Sequence, residues 1–201
     1  MSETEIPDDD AWSAWGPEEL GRRLHGVPSP WCIVGGWALD LWHGRKTRAH
    51  EDLEFTVLRE DVAAFRAALG GMAFFTAGDG IVAPLVDGRD PAAGIFQIWA
   101  LDRATRRWRV DMMIEPGTPT EWVCKRDSRI RQPRAEMVAV TADGLPYLKP
   151  AAILLFKAKH RRTKDEAEFA RALPKLPADE RVWLRDSLCL LHPGHDWIAA
   201  L

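Results

Sequence analysis

Asp52 and Glu54 stand two residues apart at the head of the apolar run Leu53-Glu54-Phe55-Thr56-Val57-Leu58. Side chains alternate along a strand, so this spacing sends both carboxylates to one face while Leu53 and Phe55 turn into a core. Carboxylates sharing a face are what a pair of hard divalent ions requires. Asp111 offers a third, set in Val110-Asp111-Met112-Met113-Ile114, where a charge is costly unless an ion or a partner compensates it. Gly35 and Gly36 follow the buried-strand run Trp31-Cys32-Ile33-Val34 and precede a helical pattern from Trp37 to Trp42. Bare backbone N–H groups and a helix dipole can there meet a phosphate that a Cβ would hold off. Metal-binding carboxylates beside such a cradle point to phosphoryl or nucleotidyl transfer, which needs charge neutralisation more than covalent help. Neither G-x-x-x-x-G-K-[ST] nor G-x-G-x-x-G occurs, so the cradle is neither a Walker loop nor a dinucleotide fingerprint.

Plainer readings stand beside these. A D-x-E on a strand is commonly a solvated face, and Asp111 could be a strand charge paired to Arg109 or Arg107. The basic run 157–164 reads first as a solvated helix face, with Lys157, Arg161 and Lys164 falling together at helical spacing, although the same face could meet phosphates.

The elements that must position these residues follow from periodicity and punctuation. Residues 1–16 read as a loose acidic tail with two Trp anchors, and PEELGRRLHG from Pro17 as a helix with acidic first turn and a closing Gly26. Strand, double glycine and short helix then succeed one another to Gly44. After strand 53–58 comes an amphipathic helix, REDVAAFRAALGG, and further strands are expected at 72–76, 94–101, 107–114 and 137–141, with residues 102–106 as a hairpin link. From Tyr147 the pattern turns helical: LKPAAILLFKAKHRR, KDEAEFARALPKL and ADERVWLRDSLCLL. The chain therefore divides into a tail at 1–16, an α/β domain at 17–145 with one mixed sheet, and a C-terminal helical portion at 146–201.

Length and composition bound the answer. With 201 residues there is room for one catalytic domain and a modest appendage. A net charge of −3 leaves no global field to hold nucleic acid, so any such role must be local. Cys32, Cys124 and Cys189 lack zinc spacing and disulfide arithmetic, the first ten residues are acidic, and no apolar run is long enough for a membrane span, so a reducing cytoplasm is the expected location.

The stretch Gly35-Gly36-Trp37-Ala38-Leu39-Asp40, followed by Gly44-Arg45-Lys46-Thr47-Arg48-Ala49-His50-Glu51-Asp52-Leu53-Glu54, resembles the active-site segment of antibiotic nucleotidyltransferases. The resemblance is to the aminoglycoside 2″-adenylyltransferase and lincosamide nucleotidyltransferase families of the polymerase-β-like superfamily, whose pattern is G-G-W-A-x-D…G-R-x-T-R-x-H-x-D-x-D. The segment Lys157 to Phe169 is similar to the family's K-x-x-R-x-K-D-x-x-D helix pair. Glu54 and Glu168 stand where that pattern has aspartate. The resemblance implies a polymerase-β-like α/β (α+β) fold and a Mg²⁺-dependent transfer, with two ions, of a nucleoside monophosphate from ATP or another NTP to a hydroxyl. Asp52, Glu54 and Asp111 would hold the metal, with Asp111 completing the site or taking the acceptor's proton. Gly35 and Gly36 would hold phosphate oxygens, and Arg45, Arg48 and Lys149 are candidate triphosphate partners. The acceptor would be a small hydroxylated molecule such as an aminoglycoside or a lincosamide. A polycationic acceptor would want an acidic rim, for which Asp40, Glu51, Glu115 and Glu121 are available. The basic 157–164 face keeps a tRNA or protein acceptor open, and Glu54 keeps open a catalytically degenerate nucleotide-binding module.

Overall fold

The computed structural model describes residues 6–8 and 11–201. Residues 1–5, 9 and 10 of the expected tail lie outside the described residues. What is described of the tail is not loose. Trp108 N donates to Ala11 O and Ser13 N to Trp108 O, both bonds 3.0 to 3.1 Å long, so residues 11–15 lie along a sheet strand as an added partner. Trp12 packs on Trp99 and Trp108, its ring centroid 5.4 Å from that of Trp99.

A sheet of eight strands organises the chain. Its members are β1 (Trp31–Ile33), β2 (Glu54–Leu58), β3 (Met72–Gly78), β4 (Ile81–Pro84), β5 (Gln97–Asp102), β6 (Arg107–Glu115), and two further strands, β9 (Val138–Val140) and β10 (Pro146–Leu148). They lie in the order β4-β3-β5-β6-β2-β1-β10-β9. The pairs β2–β6 and β1–β10 are parallel and the others antiparallel, so the sheet is mixed. A separate ribbon of two strands, β7 (Glu121–Val123) and β8 (Arg131–Pro133), stands outside it. The helices are α1 (Pro17–Arg23), α2 (Gly35–His43), α3 (Val62–Ala68), α4 (Arg134–Met137), α5 (Pro150–Lys157), α6 (Thr163–Ala172) and α7 (Ala178–Leu191).

Alternation along β2 and β6 builds two different faces from one pair of strands. Phe55, Val57, Val110, Met112 and Ile114 enter a core shared with Val62 and Phe65 of α3. Glu54, Thr56, Asp111, Met113 and Glu115 take the other face, toward α2 and α5. That side carries a second core, in which Cys32, Val34, Ala38 and Leu39 pack with Trp122 of the ribbon and with Ile153, Leu154, Phe169, Leu184 and Leu188 of α5–α7. The carboxylates thus sit between a sheet and the helices that cover it.

Several expected boundaries move. The strand expected at 53–58 begins at Glu54, which leaves Asp52 in the preceding loop. Tyr147 and Leu148 belong to β10, so the sheet crosses the division expected at 145 and helix begins only at Pro150. Pro150 supplies the physical reason, because it lacks an N–H and fits the first helical turn. The strand expected at 94–101 starts at Gln97, and the one expected at 137–141 is shortened to β9 by the turn of helix α4. The 102–106 link does join β5 to β6, with Arg106 at φ 57°.

Candidate active site

Glu54 and Asp111 are register partners on the parallel strands β2 and β6, so both carboxyls leave the same face side by side. Leu53 O accepts from Asp111 N at 2.8 Å and carries the pairing one residue past the strand end. Asp111 is buried, and its Oδ2 accepts from Gln97 Nε2 at 2.8 Å, whereas its Oδ1 is buried with no hydrogen-bond partner among the described residues. Asp52 is exposed at the entrance to β2. Arg109 and Arg107 do not neutralise Asp111: Arg109 bonds Asp102, Thr105 and Ser13, and Arg107 is exposed at the start of β6.

The electrostatics record this crowding. Burial, then the neighbouring Asp52, push the Glu54 carboxyl up to about 7, against the pull of Lys157 and Arg162. Burial and the Glu54 charge raise Asp111 well above the usual carboxylate range, although the Gln97 hydrogen bond works the other way. Two acids, Glu54 and Asp111, whose protons are held on by burial and by neighbouring carboxyls are short of positive charge. Among the described residues no three His, Cys, Asp or Glu side chains stand as a ready-made metal cage. An oxygen-only donor set with one bare buried oxygen nevertheless fits a hard divalent ion of the Mg²⁺ class.

Gly35, the first residue of α2, has φ +66°, and a Cβ there would come within 1.8 Å of Glu54 Oε2. A Cβ on Gly36 would meet Arg48 Nη2 at 2.3 Å and His50 Nδ1 at 2.8 Å. Both glycines therefore make room for side chains of this chain, which the phosphate-cradle reading does not include. His50 is locked in place, with Nε2 2.6 Å from Asp40 Oδ2 and its ring stacked 4.4 Å from Trp37, while Thr47 Oγ1 donates to Asp40 Oδ1 at 2.5 Å. This network fixes the 45–51 loop against α2 and so fixes where Asp52 emerges.

A cleft of about 550 Å³ opens over this face. Gly35, Glu54 and Gln97 line one part of it, and Lys125, Arg126, Lys159 and Arg162 supply cations elsewhere in its wall. Of the three carboxylates Glu54 alone lines the cleft, and Asp111 lies beneath, behind Gln97.

A family model described as aminoglycoside-2″-adenylyltransferase matches residues 19–130, more than half of the chain. The chain belongs to the aminoglycoside-2″-adenylyltransferase family. It is accordingly a nucleotidyltransferase. Among solved structures it is similar to the crystal structure of ANT(2″)-Ia in complex with adenylyl-2″-tobramycin, at 15% identity over 85% of this chain and 93% of that one, with a TM-score of 0.53. The solution structure of the same antibiotic-resistance factor is similar at 18% identity over 85% of this chain and 88% of that one, with a TM-score of 0.51. At these identities the likeness speaks for the fold, a mixed α/β nucleotidyltransferase fold. No curated protein matches.

In this family member the three cations expected at a triphosphate are placed away from the cleft lining. Arg48 gives Nε to Glu168 at 2.7 Å and Nη1 to Ala49 O at 2.8 Å. Arg45 is exposed in the loop after α2, and Lys149 is the N-cap of α5, near Glu180. The expected acidic rim is largely spent as well. Asp40 binds His50 and Thr47, Glu115 pairs with Arg134, and Glu121 pairs with Arg131, which leaves Glu51 exposed.

The late motif forms an ion cluster around the buried Lys157, Asp165 and Glu168. Lys157 Nζ lies 2.6 Å from Glu168 and 3.3 Å from Asp165, Arg162 Nε donates to Asp165 at 2.8 Å, and Arg48 closes the chain on Glu168. Lys157 was expected on a solvated face but is buried, and Arg161 turns instead to Glu166 and Asp196. Sequence reasoning missed Gln97, Lys125 and Arg126 at the site. Lys125 and Arg126 sit in the turn of the β7–β8 ribbon, where no periodicity marks a residue as functional.

Proposed function

We propose that the enzyme transfers AMP from Mg-ATP to a hydroxyl of a small polyhydroxylated acceptor, with an aminoglycoside as the first candidate. The observation that carries this is the in-register pair Glu54 and Asp111, two carboxyls short of positive charge beside a cationic cleft. Asp52, Glu54 and Asp111 would hold the divalent ions, and the bound ions would neutralise charge on the phosphates. The acceptor hydroxyl attacks the α-phosphorus in line, an O–P bond forms, and the bond to the β-phosphate oxygen breaks with its electron pair leaving on pyrophosphate. Asp111, held by Gln97, is the base that takes the hydroxyl proton. The cations of the cleft wall bind and orient the triphosphate. The adenylylated product of the ANT(2″)-Ia complex shows that this fold accommodates an aminoglycoside acceptor in that protein, and this supports the choice of acceptor here.

The test is a mass-shift screen of aminoglycosides and lincosamides incubated with the enzyme, Mg²⁺ and ATP or GTP, with Asp111→Asn in parallel. The reading expects an adenylylated product and released pyrophosphate from the wild type alone. Pyrophosphate release undiminished in Asp111→Asn would overturn it.

A further inference from the structure

Among the cleft cations Lys125 is held differently from Arg126, Lys157 and Arg162, and unlike the exposed Lys159 it rests on a ring. Arg126 is tied to Phe156 O at 2.8 Å and stacks on the Phe156 ring. Lys157 and Arg162 are committed to Asp165 and Glu168. Lys125 Nζ lies 4.2 Å over the face of Phe96, whose chain neighbour Gln97 is bonded to Asp111. Lys125 is solvent-exposed overall, and what burial it has lowers its pKa against the opposing pull of the Asp111 charge. A cation held by a ring face rather than by a carboxylate keeps its N–H groups available. The Phe96 ring contact and the adjoining Gln97–Asp111 hydrogen bond place that ammonium on the side of the cleft beneath which Asp111 lies.

We infer that Lys125 is a catalytic residue, whose ammonium meets the negative charge that builds on the oxygens of the transferred phosphoryl group. The inference rests on the nucleotidyl-transfer reading above. In the step, the acceptor O–P bond forms, the bond to pyrophosphate breaks and the hydroxyl proton goes to Asp111; Lys125 keeps its own proton throughout. A donor fixed where charge develops acts on the transition state more than on the bound nucleotide, and removing one costs about 10² to 10³-fold in kcat. Arg126 beside it anchors the ribbon to α5 and so holds Lys125 at that position.

The experiment is steady-state kinetics of Lys125→Gln and Lys125→Ala with Mg-ATP and the acceptor found in the screen, with melting temperatures and Asp111→Asn alongside. The expected result is a kcat lowered about 100-fold in both variants, KM for Mg-ATP within about threefold of wild type, and partial recovery of Lys125→Ala by added ethylammonium. A raised KM with unchanged kcat would make Lys125 a ground-state phosphate contact and overturn the inference, as would wild-type kinetics. Loss of folding in one variant leaves the other, and the amine rescue, to decide. Should Asp111→Asn retain full activity, the reaction reading itself fails; a dead Asp111→Asn with an unimpaired Lys125→Gln condemns Lys125 alone.

Discussion

Two groups of buried charge lie on either side of the same cleft, and they are built on opposite rules. In the cluster of Lys157, Asp165, Glu168, Arg162 and Arg48 every acid meets at least one cation directly. On the sheet face Glu54 and Asp111 stand side by side, with Gln97 of β5 donating to Asp111 from the side away from Glu54 and one Asp111 oxygen without a hydrogen bond among the described residues. Compensated charge fixes geometry: the cluster joins α5 and α6 to the 45–51 loop that delivers Asp52. Uncompensated charge is a standing cost that a bound cation relieves, so the sheet face is where chemistry is expected.

The sharpest way to break this contrast is to neutralise one member of each group. Asp111→Asn should lower kcat/KM by about 10³ to 10⁴-fold while the melting temperature without divalent ions stays level or rises, because a strained buried acid has gone. An activity loss below tenfold would end the distinction. Lys157→Met should do the reverse and cost about 3 kcal/mol of stability by denaturant unfolding, since it takes the shared buried cation from Asp165 and Glu168 and leaves each with one arginine. A variant as stable as the wild type would show that the cluster is not the strut described.

Acidity separates the two groups further. The Glu54 carboxyl titrates near 7 in the folded chain, above an ordinary value of 4.5, so the folded state binds the proton more tightly than the unfolded state does. This residue's contribution is therefore most favourable at low pH and is lost as pH rises from about 4.5 through about 7. Relative to Glu54→Gln in metal-free buffer, the wild type should lose up to about 3 kcal/mol across that window, at 1.36 kcal/mol per pH unit. Parallel stability curves for the two proteins would remove the premise. The smallest effect belongs to Arg45→Ala, which should change KM for Mg-ATP by less than about threefold, because that side chain is exposed and outside the cleft lining.

The same contrast explains what could be read in the sequence. Asp52, Glu54 and Asp111 announce themselves because charge among Leu53, Phe55, Val110 and Met112 violates the apolar pattern, and β2 and β6 are long enough to show it. The strand–glycine–helix passage through Gly35 is legible for the same reason. The ion cluster was not, since Lys157, Asp165 and Glu168 on short amphipathic helices look like any solvated face until tertiary packing buries them. Gly36 had a hidden cause, because its missing Cβ accommodates Arg48 and His50, twelve and fourteen residues downstream. Lys125 left no trace at all: it lies in a turn between strands of three residues each, too short for any period to emerge.

We propose that Glu54 and Asp111 form a divalent-cation site whose protons must leave as the ion enters. Calorimetric titration of the metal-free enzyme with Mn²⁺, run at pH 6.5 and pH 8.5 in buffers of different ionisation enthalpy, measures that exchange directly. Proton release is expected on binding at pH 6.5, with less of it and tighter binding at pH 8.5, and with loss of the binding heat in Asp111→Asn. Binding with no proton release at either pH, unchanged in Asp111→Asn, would contradict it.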